Sequence, residues 1–145
     1  MTGTTKNPAV PLLTGLIRTI RDCCQRHEEE MCFKLSLNTS QFTCLLAIPD
    51  PNGELSIQQI ASIMGLSPSR TSRIVDSLVR TGLLVRRTMD SDRRTQLIVL
   101  TSAGQEKWQA VHKLLAECEE KLLAQLPPPR SQELAETLQK LLNSW

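Results

Sequence analysis

Two sets of side chains in this 145-residue chain are suited to chemistry. The first is arginine. From Leu55 to Thr101 the chain carries seven basic residues, all arginine, against three acidic ones, while the remainder carries ten basic and twelve acidic residues. Guanidinium forks match phosphates and the major-groove edge of guanine, so an arginine-only band points toward nucleic acid. The plainer reading is solvated helix surface. The second set is thiol and imidazole. Cys23 or Cys24 with His27 lies at i,i+4 or i,i+3 on one helix, where two donors can face one ion. Cys32, near the expected helix end, is a third donor or an accessible thiol. Cys44 beside Leu45, and Cys118 within an apolar stripe, read as core. Packing alone would also account for the whole cluster, and no metal is specified by it.

Other chemistry is thinly represented. The chain has two histidines, no tyrosine and six scattered glycines, and contains no GxGxxG, Walker, GxSxG or HExxH pattern. Nothing proposes an enzyme, and no cofactor is called for beyond a candidate metal ion or reactive thiol. The five cysteines form no CxxC pair and read as free thiols in a reducing compartment. The longest apolar run is Cys44–Ile48, far below the roughly 18 residues that span a bilayer. The first residues show no basic segment leading into an apolar stretch. The expectation is a soluble, cytoplasmic protein without membrane contact.

The elements that must position these groups are legible from period and punctuation. Apolar residues at Leu13, Leu16, Ile17, Ile20, Cys23/Cys24, His27 and Met31 predict one helix from Leu12 to about Phe33. Thr39 or Ser40 caps a second, stopped by the segment Pro49-Asp50-Pro51-Asn52-Gly53. Ser56 caps a third, Ile57–Met64, ended by Gly65. Ser67 caps a fourth with Pro68 in its first turn, running to Arg80 or Thr81 before Gly82. A turn as short as Gly65-Leu66-Ser67 between helices makes a helix-turn-helix.

Leu83–Thr88 and Thr95–Leu100 then alternate with β-branched residues and predict a hairpin with a charged tip. Thr101 caps a long fifth helix bearing Trp108, Val111, Leu115, Cys118 and Leu122. Pro127-Pro128-Pro129 breaks it, and a sixth helix carries Leu134, Leu138, Leu141 and Trp145 on one face. The fold class is mainly α with a small β-hairpin wing. The outer stripes outrun what one small domain can cover, so a homodimer is expected.

In such a unit the second helix of the pair enters the major groove. Thr71, Ile74, Val75 and Leu78 form its packed face, leaving Ser69, Arg70, Ser72 and Arg73 outward beside the capping Ser67. Arg70 and Arg73 are the candidate guanine readers, and the serines suit phosphates. A basic hairpin directly after this helix has a use in the minor groove.

These residues also resemble a known family. The run Leu66–Leu84 is similar to the reader helix and following strand of the MarR family. Asp92-Arg93-Arg94 followed by Leu100-Thr101-Ser102-Ala103-Gly104 resembles that family's D-x-R wing and LTxxG helix start. Leu37-Asn38-Thr39-Ser40-Gln41-Phe42 resembles its second-helix entry, with Asn38 in place of threonine. The resemblance covers residues 37–104 and implies a homodimeric transcriptional regulator, usually a repressor. It assigns Arg94 to the wing tip in the minor groove, and Asp92, Asp76 and Arg86 to bracing the wing; the neighbouring Arg93 is a further candidate for DNA contact. It assigns residues 1–36 and 105–145 to dimerisation helices. It places small-molecule effectors near the first, second and fifth helices, where Cys23, Cys24, His27 and Cys32 form the candidate sensor. Members that sense hydroperoxides pair a first-helix cysteine with tyrosines, which this chain lacks.

The expectation is therefore a repressor that binds double-stranded operator DNA until a small ligand, oxidant or metal releases it. The rival is a winged-helix module for protein partners that binds no operator. A metal- or thiol-based enzyme on a helical scaffold is the remote third.

Overall fold

Short polar signals set the helix ends. The computed structural model describes residues 9–88 and 96–144. Helix α1 spans Ala9–Leu35 and α2 spans Thr39–Leu46. The cap of α2 is Asn38, one residue before the expected Thr39 or Ser40. Its side chain accepts from the Gln41 N–H, and the Gln41 side chain accepts from the Asn38 N–H, closing a capping box. A second box joins Ser56 and Gln59 at the start of α3 (Ile57–Met64). Ser67 caps α4 (Pro68–Arg80), with proline in the first turn as expected. Between α3 and α4, Gly65 turns the chain at φ 65°, a left-handed conformation that costs glycine little.

The sheet has one strand more than the hairpin read from sequence. Strands β2 (Leu84–Thr88) and β3 (Gln96–Leu100) pair antiparallel, with Leu84 opposite Leu100 and Arg86 opposite Ile98. A two-residue strand β1 (Leu55–Ser56) adds to the other edge of β3, giving the order β1-β3-β2. Two residues carry no period, which is why this strand left no pattern in the sequence. The tip of the wing, including Asp92, Arg93 and Arg94, lies outside the described residues.

Helix α5 (Ser102–Gln125) begins at Thr101, whose hydroxyl donates to the Gly82 carbonyl and accepts from the Gly104 N–H. Gly104 packs so closely under β2 that a Cβ there would run into the Leu83 carbonyl. Phe42, Leu45, Ile60, Val75, Leu78, Leu84 and Val111 form the core, each at most 2% exposed. Burial of each such side chain contributes about 1.5–3 kcal/mol before entropy is counted. Two further bonds fasten α5 to the preceding helices: Trp108 Nε1 donates to the Ile48 carbonyl and Lys107 Nζ to the Leu35 carbonyl, both at 2.8 Å.

The ends of the chain are different. Helix α6 (Arg130–Asn143) has no buried residue, and its Leu134, Leu138, Leu141 and Leu142 face outward. The first half of α1 likewise exposes Leu13, Leu16, Ile17 and Ile20. No helix among the described residues is long and apolar enough to cross a membrane.

Candidate nucleic-acid interface

The reader helix α4 buries one face completely. Thr71, Val75 and Leu78 have no exposure, and the Thr71 hydroxyl returns to the Ser67 carbonyl at 3.0 Å. A period of 3.6 then forces Ser69, Arg70 and Arg73 outward, where all three are exposed. Neither guanidinium has an ion pair or side-chain hydrogen bond among the described residues, unlike those of Arg86 and Arg87. Arg70 and Arg73 flank a shallow groove whose opposite wall is Asn38, Thr39 and Ser40 at the start of α2. Among the described residues no acidic side chain lines it, so the two charges are unopposed.

Ser72 has a different task from the outward contact expected of it. Its hydroxyl accepts from Arg86 Nη2 at 3.1 Å. The same nitrogen lies 2.6 Å from Asp76 Oδ1, and Nη1 donates to Gln96 Oε1 at 2.8 Å. One side chain on β2 thus holds α4 and β3 together. The sequence reading named Asp76 and Arg86, and the structure brings them into contact; Asp92, the third brace, is outside the described residues.

Gln41 and Gln96 were missed. Gln41 is buried and its Nε2 donates to Ser77 Oγ at 3.2 Å, joining the cap of α2 to the reader helix. The Asn-x-x-Gln spacing of its capping box was the available signal.

The thiols divide in two. Cys32 is buried beneath the α1–α2 turn, so it is not the accessible thiol the sequence suggested. Burial, with the Glu28 carboxylate nearby, pushes its pKa up, while a hydrogen bond with Thr39 pulls the other way. Cys44 is fully buried, as expected, and burial pushes it up to about 12. Such thiols are poor nucleophiles. Cys23 and Cys24 are exposed, and Cys118 is half-buried rather than core. These three line a cleft of about 590 Å³ between α1, α2 and α5, together with His27, Met31 and Phe42. No group of three His, Cys, Asp or Glu side chains among the described residues could hold a metal ion. His27 lies 3.8 Å from Glu30 instead.

A helix-turn-helix with an unpaired arginine face, braced to a β-wing and flanked by long helices, defines a winged helix-turn-helix protein. Residues 35–95 match the family model described as MarR family. The chain is 26% identical over 133 residues to the transcriptional repressor MprA of Escherichia coli, covering 91% of this chain and 76% of MprA. It is 28% identical over 86 residues to the HTH-type transcriptional regulator BilQ of Clostridium symbiosum, covering 59% of this chain and only 60% of BilQ. Its fold matches a mutant of MepR from S. aureus bound to an oligodeoxyribonucleotide, with TM-score 0.64, 22% identity, and coverage of 91% and 96% of the two chains.

Proposed function

We propose that this protein is a homodimeric transcriptional repressor that binds a pseudopalindromic operator. The observation that carries this reading is the exposed, unpaired arginine pair on α4, held at a fixed angle to the wing by Arg86. Arg70 and Arg73 contact guanine edges, while Ser67, Ser69 and Ser40 lie beside phosphates. Arg93 and Arg94 extend the contact into the adjacent minor groove. The MprA and MepR likenesses support this reading, since the one is named a repressor and the other holds an oligonucleotide.

Dimerisation follows from the uncovered leucines. Leu13, Ile17 and Ile20 on α1 and Leu134, Leu138 and Leu141 on α6 are each 42–61% exposed in the single chain. Contiguous apolar surface of this kind is ordinarily covered. A second copy covers both ends and duplicates the reader helix at the spacing of one turn of DNA. The cleft between α1, α2 and α5 takes the effector, because a ligand there separates the dimerisation helix from the reader unit it positions.

The experiment is footprinting on DNA from the protein's own upstream region. Protection of two half-sites about one helical turn apart is expected. Uniform protection without sequence preference would refute the operator-binding reading.

A further inference from the structure

We propose that Gln41 is a positioning residue for operator recognition. Through its bond to Ser77 it fixes the start of α2 against the reader helix, so that both walls of the groove between them meet the same stretch of DNA. This rests on the operator-binding reading, which sets Arg70 and Arg73 at base edges and Ser40 beside a phosphate. Arg70, Arg73 and Ser77 recur at steps of three and four along α4 and line that groove, with Asn38, Thr39 and Ser40 on its other wall. Gln41 and Ser77 lie 36 residues apart in the chain, so nothing local aligns the two walls.

The polarity of the link is fixed at each atom. The Gln41 side chain is buried, and both ends of its amide are engaged. Oε1 accepts from the Asn38 N–H at 3.1 Å, which ties it to the cap of its own helix. Nε2 donates to Ser77 Oγ at 3.2 Å, and that hydroxyl in turn donates to the Ile74 carbonyl at 2.7 Å. Among the described residues this is the one hydrogen bond that joins α2 to α4. The apolar residues behind it, Phe42 and Leu45 on α2 with Val75 and Leu78 on α4, belong to one core cluster. Such packing holds two helices together without direction, whereas a hydrogen bond also sets their register. A shift of about 1 Å in Ser40 would take its hydroxyl out of hydrogen-bond range of a phosphate while Arg73 kept its base. Gln41, being buried, touches no DNA itself. Its loss therefore shows as lost cooperation between residues that do.

The test uses the full-length protein, the duplex protected in footprinting and a scrambled duplex of the same composition. Affinities are measured by anisotropy for the parent, Ser77→Ala, Gln41→Met, Ser40→Ala and the pair Ser40→Ala with Ser77→Ala, each below its own melting transition. Ser77→Ala leaves the capping box of α2 intact while removing the bond between the helices, which separates positioning from helix stability. It is expected to lose about fivefold on the protected duplex, as is Ser40→Ala. Gln41→Met, which loses the cap contact as well, should lose at least as much. In the pair, the second substitution should add less than about twofold, because a displaced wall no longer reaches its phosphate. Ser77→Thr, which keeps a hydroxyl, should return to within about twofold of the parent. Losses that multiply in the pair, a Ser40→Ala protein that binds as the parent does, or unchanged affinity in Ser77→Ala and Gln41→Met would overturn the proposal. A parent that prefers neither duplex would instead refute the operator-binding reading itself.

Discussion

Arg86 on β2 and Asp76 on α4 stand 2.6 Å apart, and the same guanidinium reaches Ser72 and Gln96. A two-stranded wing is marginal by itself, so the angle between wing and reader helix depends on this contact. Asp76 is about half exposed, which limits what the ion pair adds to stability. Arg86→Met should therefore cost less than about 1 kcal/mol in folding, yet lower operator affinity by about tenfold through misplacement of the wing. A thermal melt and an anisotropy titration on the same sample check both halves. Unchanged affinity would show that the brace does not set the DNA contact.

Gly104→Ala tests the joint between wing and α5. The added methyl meets backbone at Leu83, which cannot swing aside as a side chain does. A loss of about 1–3 kcal/mol in denaturant unfolding is expected, the usual cost of overpacking. Gly15→Ala, at an exposed helical position where nothing lies within 4 Å, provides the control and should be neutral or slightly stabilising.

Much of this arrangement was legible because caps and periods act locally. Ser56, Ser67, Thr101 and Gly65 mark helix ends by hydrogen bonds within three or four residues, and each is found at its expected place. Position within a helix also told which face of α4 is buried. What was not legible depends on contacts distant in sequence. The role of Ser72 as a partner of Arg86, the burial of Cys32 under the α1–α2 turn, and the turning of Cys118 into a cleft are all set by tertiary packing. The two-residue β1 exists only because β3 lies beside it.

Cys44 makes a pH prediction with a definite sign. Burial raises its thiol from the ordinary 9.0 to about 12 in the folded state. Between these values the unfolded chain has lost a proton that the folded chain keeps, so stability is complete below about pH 9 and falls as pH rises toward 12. Cys44→Ala should remove this part of the alkaline slope while costing about 1 kcal/mol at neutral pH for the lost volume. Urea midpoints at several alkaline pH values, parent against variant, measure the difference. Parallel curves would contradict it.

Helix α6 supplies the assembly prediction. Truncation after Pro129 removes an element with no buried residue in the single chain, so a monomeric protein should scarcely notice. A dimer should dissociate or aggregate, because the apolar surface that α6 shared with its partner returns to water at about 25 cal/mol per Å². Light scattering across a concentration series checks this. A truncated chain that remains a stable dimer would place the interface elsewhere.

The central claim is that the unpaired arginines of α4 read DNA sequence. Its most direct test is equilibrium binding to the operator and to a scrambled duplex at several salt concentrations, for the parent, Arg73→Ala and Arg70→Ala. The parent should prefer the operator, with affinity falling steeply as salt rises. Each substitution should cost about 1–3 kcal/mol on the operator and much less on the scrambled duplex, narrowing the gap between them. Equal losses on both duplexes, or none on either, would contradict the account.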